Sequence, residues 1–254
     1  MGITARQILA IVVIAYYLPA LFLSIFICFR HGVGKLMGWA LLVLFCIMSI
    51  AGASLQIALD TQPPRNPGEE PSGLEKATKA FVAMGLVPLL MVVQEFLTRV
   101  KDRLRGADPI DPRAWRIIAG MQSTEAILGI ISFAINSKEM IKATVIIIAI
   151  LFGAQVYIAL LFFLRRRDYY GSDTKTPNNV LISIPFLTVR CVYEVGYGYT
   201  YGSFAGIVGS ALMRYLMEFV VVALYLYTAW KIQPEEKKLD QESDLLEEDT
   251  QYRQ

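Results

Sequence analysis

The chain has 254 residues, with 24 basic and 22 acidic side chains, one histidine and three cysteines. Hydrophobic residues make up 55% and charged residues 18%, and the mean hydropathy is +0.48, a composition that excludes an ordinary soluble domain and points to the bilayer. The one histidine, His31, falls in a turn, so a multi-histidine metal site or a serine–histidine–aspartate triad within the membrane is excluded. No P-loop or dinucleotide fingerprint occurs. A net charge of +2 gives no reason to expect nucleic acid as a partner.

A spanning helix needs about 20 mostly apolar residues, and seven such runs are read at about 7–29, 38–58, 77–98, 114–135, 142–164, 180–198 and 204–230. The first lacks a short apolar centre followed by a small-residue cleavage site, so it is expected to stay in the membrane. "MGITAR" has Arg6 where a myristoylation signal needs Ser or Thr. "FRHGVGKLMGW" then reads as a tight turn anchored at the interface by Arg30, Lys35 and Trp39. "DTQPPRNPGEEPSG" is an outer loop by its Pro and Gly content. Pro19, Pro88 and Pro185 lie inside runs, where the missing N–H commonly bends a helix. Glu95, beside Gln94, is close enough to the end of its run to reach the interface. The next run carries Gln122, Glu125, Gly129, Ser132 and Asn136 along one face, with Glu125 central. Cys28, Cys46 and Cys191 all fall within runs and read as small packing residues. The chain divides into a membrane domain, 1–230, and an acidic tail, 231–254, expected to be disordered.

Basic residues set the orientation. If the amino terminus is outside or luminal, sixteen of the 24 lysines and arginines fall on the cytosolic side and six on the other, and the remaining two, Arg190 and Arg214, are in the runs themselves. The expected fold is therefore all-α: a polytopic membrane protein of seven transmembrane helices with a cytosolic carboxyl terminus, integral to the endoplasmic reticulum or another endomembrane.

The last two runs carry four charges. Arg190 and Glu194 are four residues apart, as are Arg214 and Glu218, so each pair shares a helical face. With a turn near residue 203, Arg190 comes level with about position 216, between Arg214 and Glu218. Each unpaired charge at a helix centre costs roughly 2.5–3.5 kcal/mol, so the four are expected to pair in the bundle interior. A purely structural quartet is one reading of them. Glu125 adds another: two intramembrane arginines face Glu125, Glu194 and Glu218, one carboxyl in excess, and desolvation disfavours an unpaired carboxylate. One acid, Glu125 first, should then hold a proton and serve as a general acid. Gln122 shares its face. Tyrosines crowd the last two runs and the first. Most read as interfacial belt or packing residues, while Tyr193 and Tyr215, beside the charges, could face a developing cation.

"LPALFLSIFICFRHGVGKLMGW", with "PFLTVR" and "MEFVVVALYLYTAW", resembles a group of small seven-helix membrane proteins of filamentous fungi, one that includes or borders on the membrane-bound terpene cyclases of the ascofuranone and ascochlorin type. The resemblance implies a cyclase of secondary metabolism that closes a farnesyl chain, plain or epoxidised, on a meroterpenoid by acid chemistry, with a hydrophobic prenylated substrate and the bilayer as partners. No catalytic residue is carried over from it. Neither the metal-binding DDxxD nor the proton-donating DxDD motif of soluble terpene cyclases occurs, "DPID" at 108–111 being a near-miss in a loop. No cofactor or metal is expected. A seven-helix receptor or a proton-coupled carrier would show the same run count and charges.

Overall fold

The computed structural model describes residues 4–31, 36–62, 72–101, 110–135, 138–164, 175–200 and 206–231, apart from the side chains at 31, 36–38, 79, 80, 82–84, 125, 126, 129, 130, 132–135, 138, 175–177 and 198. Every regular element among them is helical: α1 (Ala5–His31), α2 (Leu36–Asp60), α3 (Gly73–Met84), α4 (Leu86–Lys101), α5 (Pro112–Ile135), α6 (Lys138–Leu164), α7 (Lys175–Thr200) and α8 (Gly206–Lys231). The last is α-helical at both ends and a π-helix over Ser210–Leu216. The "RHGVGK" and "DTQPPRNPGEEPSG" connections lie largely, and the acidic tail beyond Lys231 wholly, outside the described residues.

Five helices, α1, α2, α6, α7 and α8, are long and apolar enough to cross a membrane. Their surfaces say which solvent they meet. In α1 the buried positions Ala10, Val13, Tyr17, Ala20, Ser24 and Ile27 recur every three or four residues, a narrow inward stripe. The outward positions are apolar too, among them Ile8, Ile11, Val12, Leu18, Phe22 and Phe26. Such a surface is stable against hydrocarbon and not against water.

The 77–98 run is two helices rather than one. Pro88 has no N–H to give the Met84 carbonyl, so the helical ladder fails there. Helix α3 therefore ends at Met84, and α4 restarts at Leu86 with Pro88 in its first turn, where a free N–H is not needed. Ser72 starts α3, its Oγ accepting from the Glu75 N–H at 3.1 Å. Pro19 and Pro185 do sit inside α1 and α7. Helix α4 is the centre of the bundle: eleven of its sixteen residues are buried, and it touches α2, α3, α5, α6 and α7. Around it α1 packs along α2, α5 on α6, α6 on α7, and α7 on α8, while α8 returns to α1.

Candidate functional site

The site lies on the seam between α7 and α8. From one end of the seam, Asn179 Nδ2 donates to Thr228 Oγ1 at 3.0 Å, and the Ser183 and Tyr225 hydroxyls lie 3.3 Å apart. At mid-bundle Arg190 is fully buried and donates through Nε to Glu218 Oε1 at 2.6 Å and through Nη1 to Glu194. Farther on, the Tyr193 and Ser210 hydroxyls lie 2.7 Å apart. Buried polar groups need partners, and the seam supplies them from one helix to the next.

One guanidinium thus bonds two carboxylates, Glu194 one turn along its own helix and Glu218 across the seam. Arg214 stands one turn before Glu218, with Nε 3.9 Å from Glu218 Oε1, an ionic contact beyond hydrogen-bond range. It sits in the π segment, whose wider turn alters where side chains point relative to an α-helix. Glu218 is also reached from α1, by the Tyr17 hydroxyl at 3.4 Å from Oε2, while the neighbouring Tyr16 hydroxyl donates to the Phe219 carbonyl at 2.6 Å. Tyr16 stacks on Phe219 with ring centroids 4.1 Å apart. Tyr193 lies 5.9 Å from the Arg190 guanidinium, and Tyr215 lies 5.0 Å from that of Arg214. Among the described residues the Arg190 Nη2 has no hydrogen-bond partner.

A small cavity borders this cluster, lined by Arg214, Tyr215 and Glu218 from α8, Ser49 and Gly52 from α2, and Phe81 from α3. The space open to the centre of a water molecule is about 20 Å³, enough for one or two waters.

A second polar cluster surrounds the Leu90 carbonyl in the first half of α4. Gln155 Nε2 of α6 donates to it at 2.9 Å, and Gln122 Nε2 of α5 approaches at 3.5 Å. Amides that bridge helices in this way add cohesion where lipid supplies no hydrophobic drive.

Of the residues singled out from the sequence, the structure brings together Arg190, Glu194, Arg214, Glu218, Tyr193 and Tyr215. Gln122 belongs instead to the Leu90 cluster. Glu125 is on α5, one turn from Gln122, and its side chain lies outside the described residues. Glu95 makes an ordinary ion pair with Arg99, 3.1 Å away near the end of α4. None of the three cysteines is in a disulfide, and no group of His, Cys, Asp and Glu suited to a metal occurs among the described residues. Tyr17, one of the tyrosines read as belt or packing residues, is fully buried and reaches the cluster through its hydroxyl. Gln155 was not singled out at all, although a lone amide in "LFGAQVYIAL" is the kind of signal that marks an interhelical contact.

The apolar outer surfaces and the charged interior define a helical integral membrane protein whose polar groups point into its own bundle. The chain belongs to the family described as a domain of unknown function, DUF7702, which matches residues 3–235. No curated protein and no solved structure matches it significantly.

Proposed function

We propose that the chain is a seven-span endomembrane protein, amino terminus luminal and carboxyl terminus cytosolic, that cyclises a farnesyl chain of a meroterpenoid by proton transfer from a carboxylic acid. In this reading α3 and α4 together make one span and α5 another. Three tryptophan–cation contacts support a common interface at one end of the bundle. Arg30 lies 5.3 Å from the Trp230 ring, Arg99 4.6 Å from that of Trp39 and Lys101 5.2 Å from that of Trp115. Tryptophan with Arg or Lys marks the membrane–water boundary, and the basic excess marks its cytosolic side. A reporter fused after Tyr252 should therefore read cytosolic and one inserted near Asn66 luminal. Both reading on one side would overturn the seven-span arrangement.

The observation that carries the chemistry is the buried cluster of Arg190, Glu194, Arg214 and Glu218 with its tyrosines. Glu194 and Glu218 already accept from Arg190, which makes them second choices for the acid. That role falls to Glu125, which has no basic residue within four positions on its helix. Its carboxyl proton goes to the epoxide oxygen or to an alkene carbon. The neighbouring alkene supplies the electron pair of the new carbon–carbon bond, and the last cation returns a proton to a carboxylate. Carboxylates and tyrosine rings around the cation lower its energy while it exists. The small cavity beside Glu218 does not hold a farnesyl chain, so the helices that line it would have to move apart to admit one.

The test is expression in a host fed farnesylated phenols with and without the terminal epoxide. A cyclised product that depends on the chain and needs no added metal is expected, and its absence from a well-expressed membrane fraction would sink the proposal. One observation favours a second class: a guanidinium shared between two carboxylates is also how a proton-coupled carrier exchanges partners. Proton-driven uptake by vesicles, without product formation, would select that reading.

A further inference from the structure

The three tryptophan–cation contacts are not alike. Trp39 and Trp115 are covered, at 3% and 9% exposure, whereas Trp230 is 47% exposed. Around it the ends of α1 and α8 present a mixed surface. Phe26 stacks on Trp230 with centroids 5.9 Å apart, and Phe26, Phe29 and Tyr227 all face outward. Two exposed cations stand in this aromatic patch, Arg30 over Trp230 and Lys231 with its Nζ 5.7 Å from the Tyr227 ring. Arg30 is further positioned by a 3.2 Å bond from Nη1 to the Trp230 carbonyl. That bond uses one of its five donors.

No acid opposes these charges on either helix nearby. Helix α1 contains none, and the single acid of α8 is Glu218, twelve residues or about 18 Å below Trp230. The patch therefore combines positive charge at a helix end, with no acid beside it among the described residues of these two helices, with aromatic and apolar side chains running toward the hydrocarbon. A free phosphate would use only the first of these features. A phospholipid uses both, headgroup on the cations and acyl chains along Phe26 and Trp230.

We propose that the ends of α1 and α8 form a binding site for one anionic phospholipid, held by Arg30 and Lys231 over Trp230. The site is separate from the α7–α8 cluster and does not depend on the cyclase reading. Each cation near an anionic headgroup contributes roughly 5.5-fold, so the pair should give about a 30-fold preference over a zwitterionic lipid.

The experiment is quenching of tryptophan emission by brominated lipid in nanodiscs, with Trp230→Phe defining the share that belongs to Trp230. Brominated phosphatidylserine should quench Trp230 at about 30-fold lower mole fraction than brominated phosphatidylcholine. The Arg30→Gln/Lys231→Gln double variant, both sites being exposed, should lose that preference while phosphatidylcholine quenches it as before. Three results would overturn the proposal. Wild type could be quenched equally by both lipids, which needs no variant to observe. Inorganic phosphate at millimolar concentration could abolish the preference, which would make this a free-anion site. The preference could also emerge only when residues 235–254 are removed, which would assign the patch to the acidic tail.

Discussion

An Arg190→Met chain is expected to lose about 3–5 kcal/mol of stability, the usual cost of removing one partner from a buried ion pair. Methionine takes the space of a fully buried side chain that bonds both Glu194 and Glu218. It leaves two carboxylates with one nearby cation, Arg214. The rescue expected from those pairings is asymmetric. Adding Glu194→Gln leaves Glu218 beside Arg214, 3.9 Å away, and should recover most of the loss. Adding Glu218→Gln instead should recover less, because among the described residues Glu194 is bridged to Arg190 alone. Thermal unfolding of the purified variants in detergent reads this directly. An Arg190→Met protein with unchanged Tm would rule out a buried pair, and equal rescue by both glutamines would mean that the four charges act as a pool.

The parts of the cluster differed in how far sequence could reach them. Arg190 with Glu194 follows from spacing alone, since residues four apart share a helical face. Glu218 was nearly legible: counting back from a turn near 203 puts Arg190 level with 216, and the bond is made two residues farther on. Depth is constrained by a helix's fixed rise, so such counting errs little. Tyr17 was out of reach for a different reason. Its role exists because α1 returns to α8 and closes the bundle, and nothing in "IAYYLPA" says which helix that stripe will face. The π segment is equally silent, as "SALMRYL" has no residue type that demands a wider turn. Glycine and proline in "MGLVP" do punctuate the third run, yet hydropathy alone joins its halves. Gln155 was missed because it stands by itself, and an amide that bonds a backbone carbonyl needs no polar side chain as partner.

Glu125→Gln is expected to abolish cyclisation while leaving the protein folded, if the proposed chemistry is right. Glutamine keeps the size and hydrogen-bonding capacity of the acid and removes only the transferable proton, so loss of about 10²-fold or more is the scale for a positioned general acid. The expectation rests on the accounting of carboxyls. Glu194 and Glu218 both accept from Arg190, and Glu95 is engaged with Arg99 near a helix end. In the proposed chemistry Glu125, central in α5 and without a basic neighbour on its own face, is the carboxyl that holds the proton. Glu95→Gln should accordingly change the rate little. Rates of product formation in microsomes, normalised to the amount of folded protein, distinguish the cases. If Glu125→Gln turns over at the wild-type rate while folded Glu218→Gln or Glu194→Gln is inactive, the proton resides on the α7–α8 seam, and Arg190 then orients an acid instead of neutralising two bases.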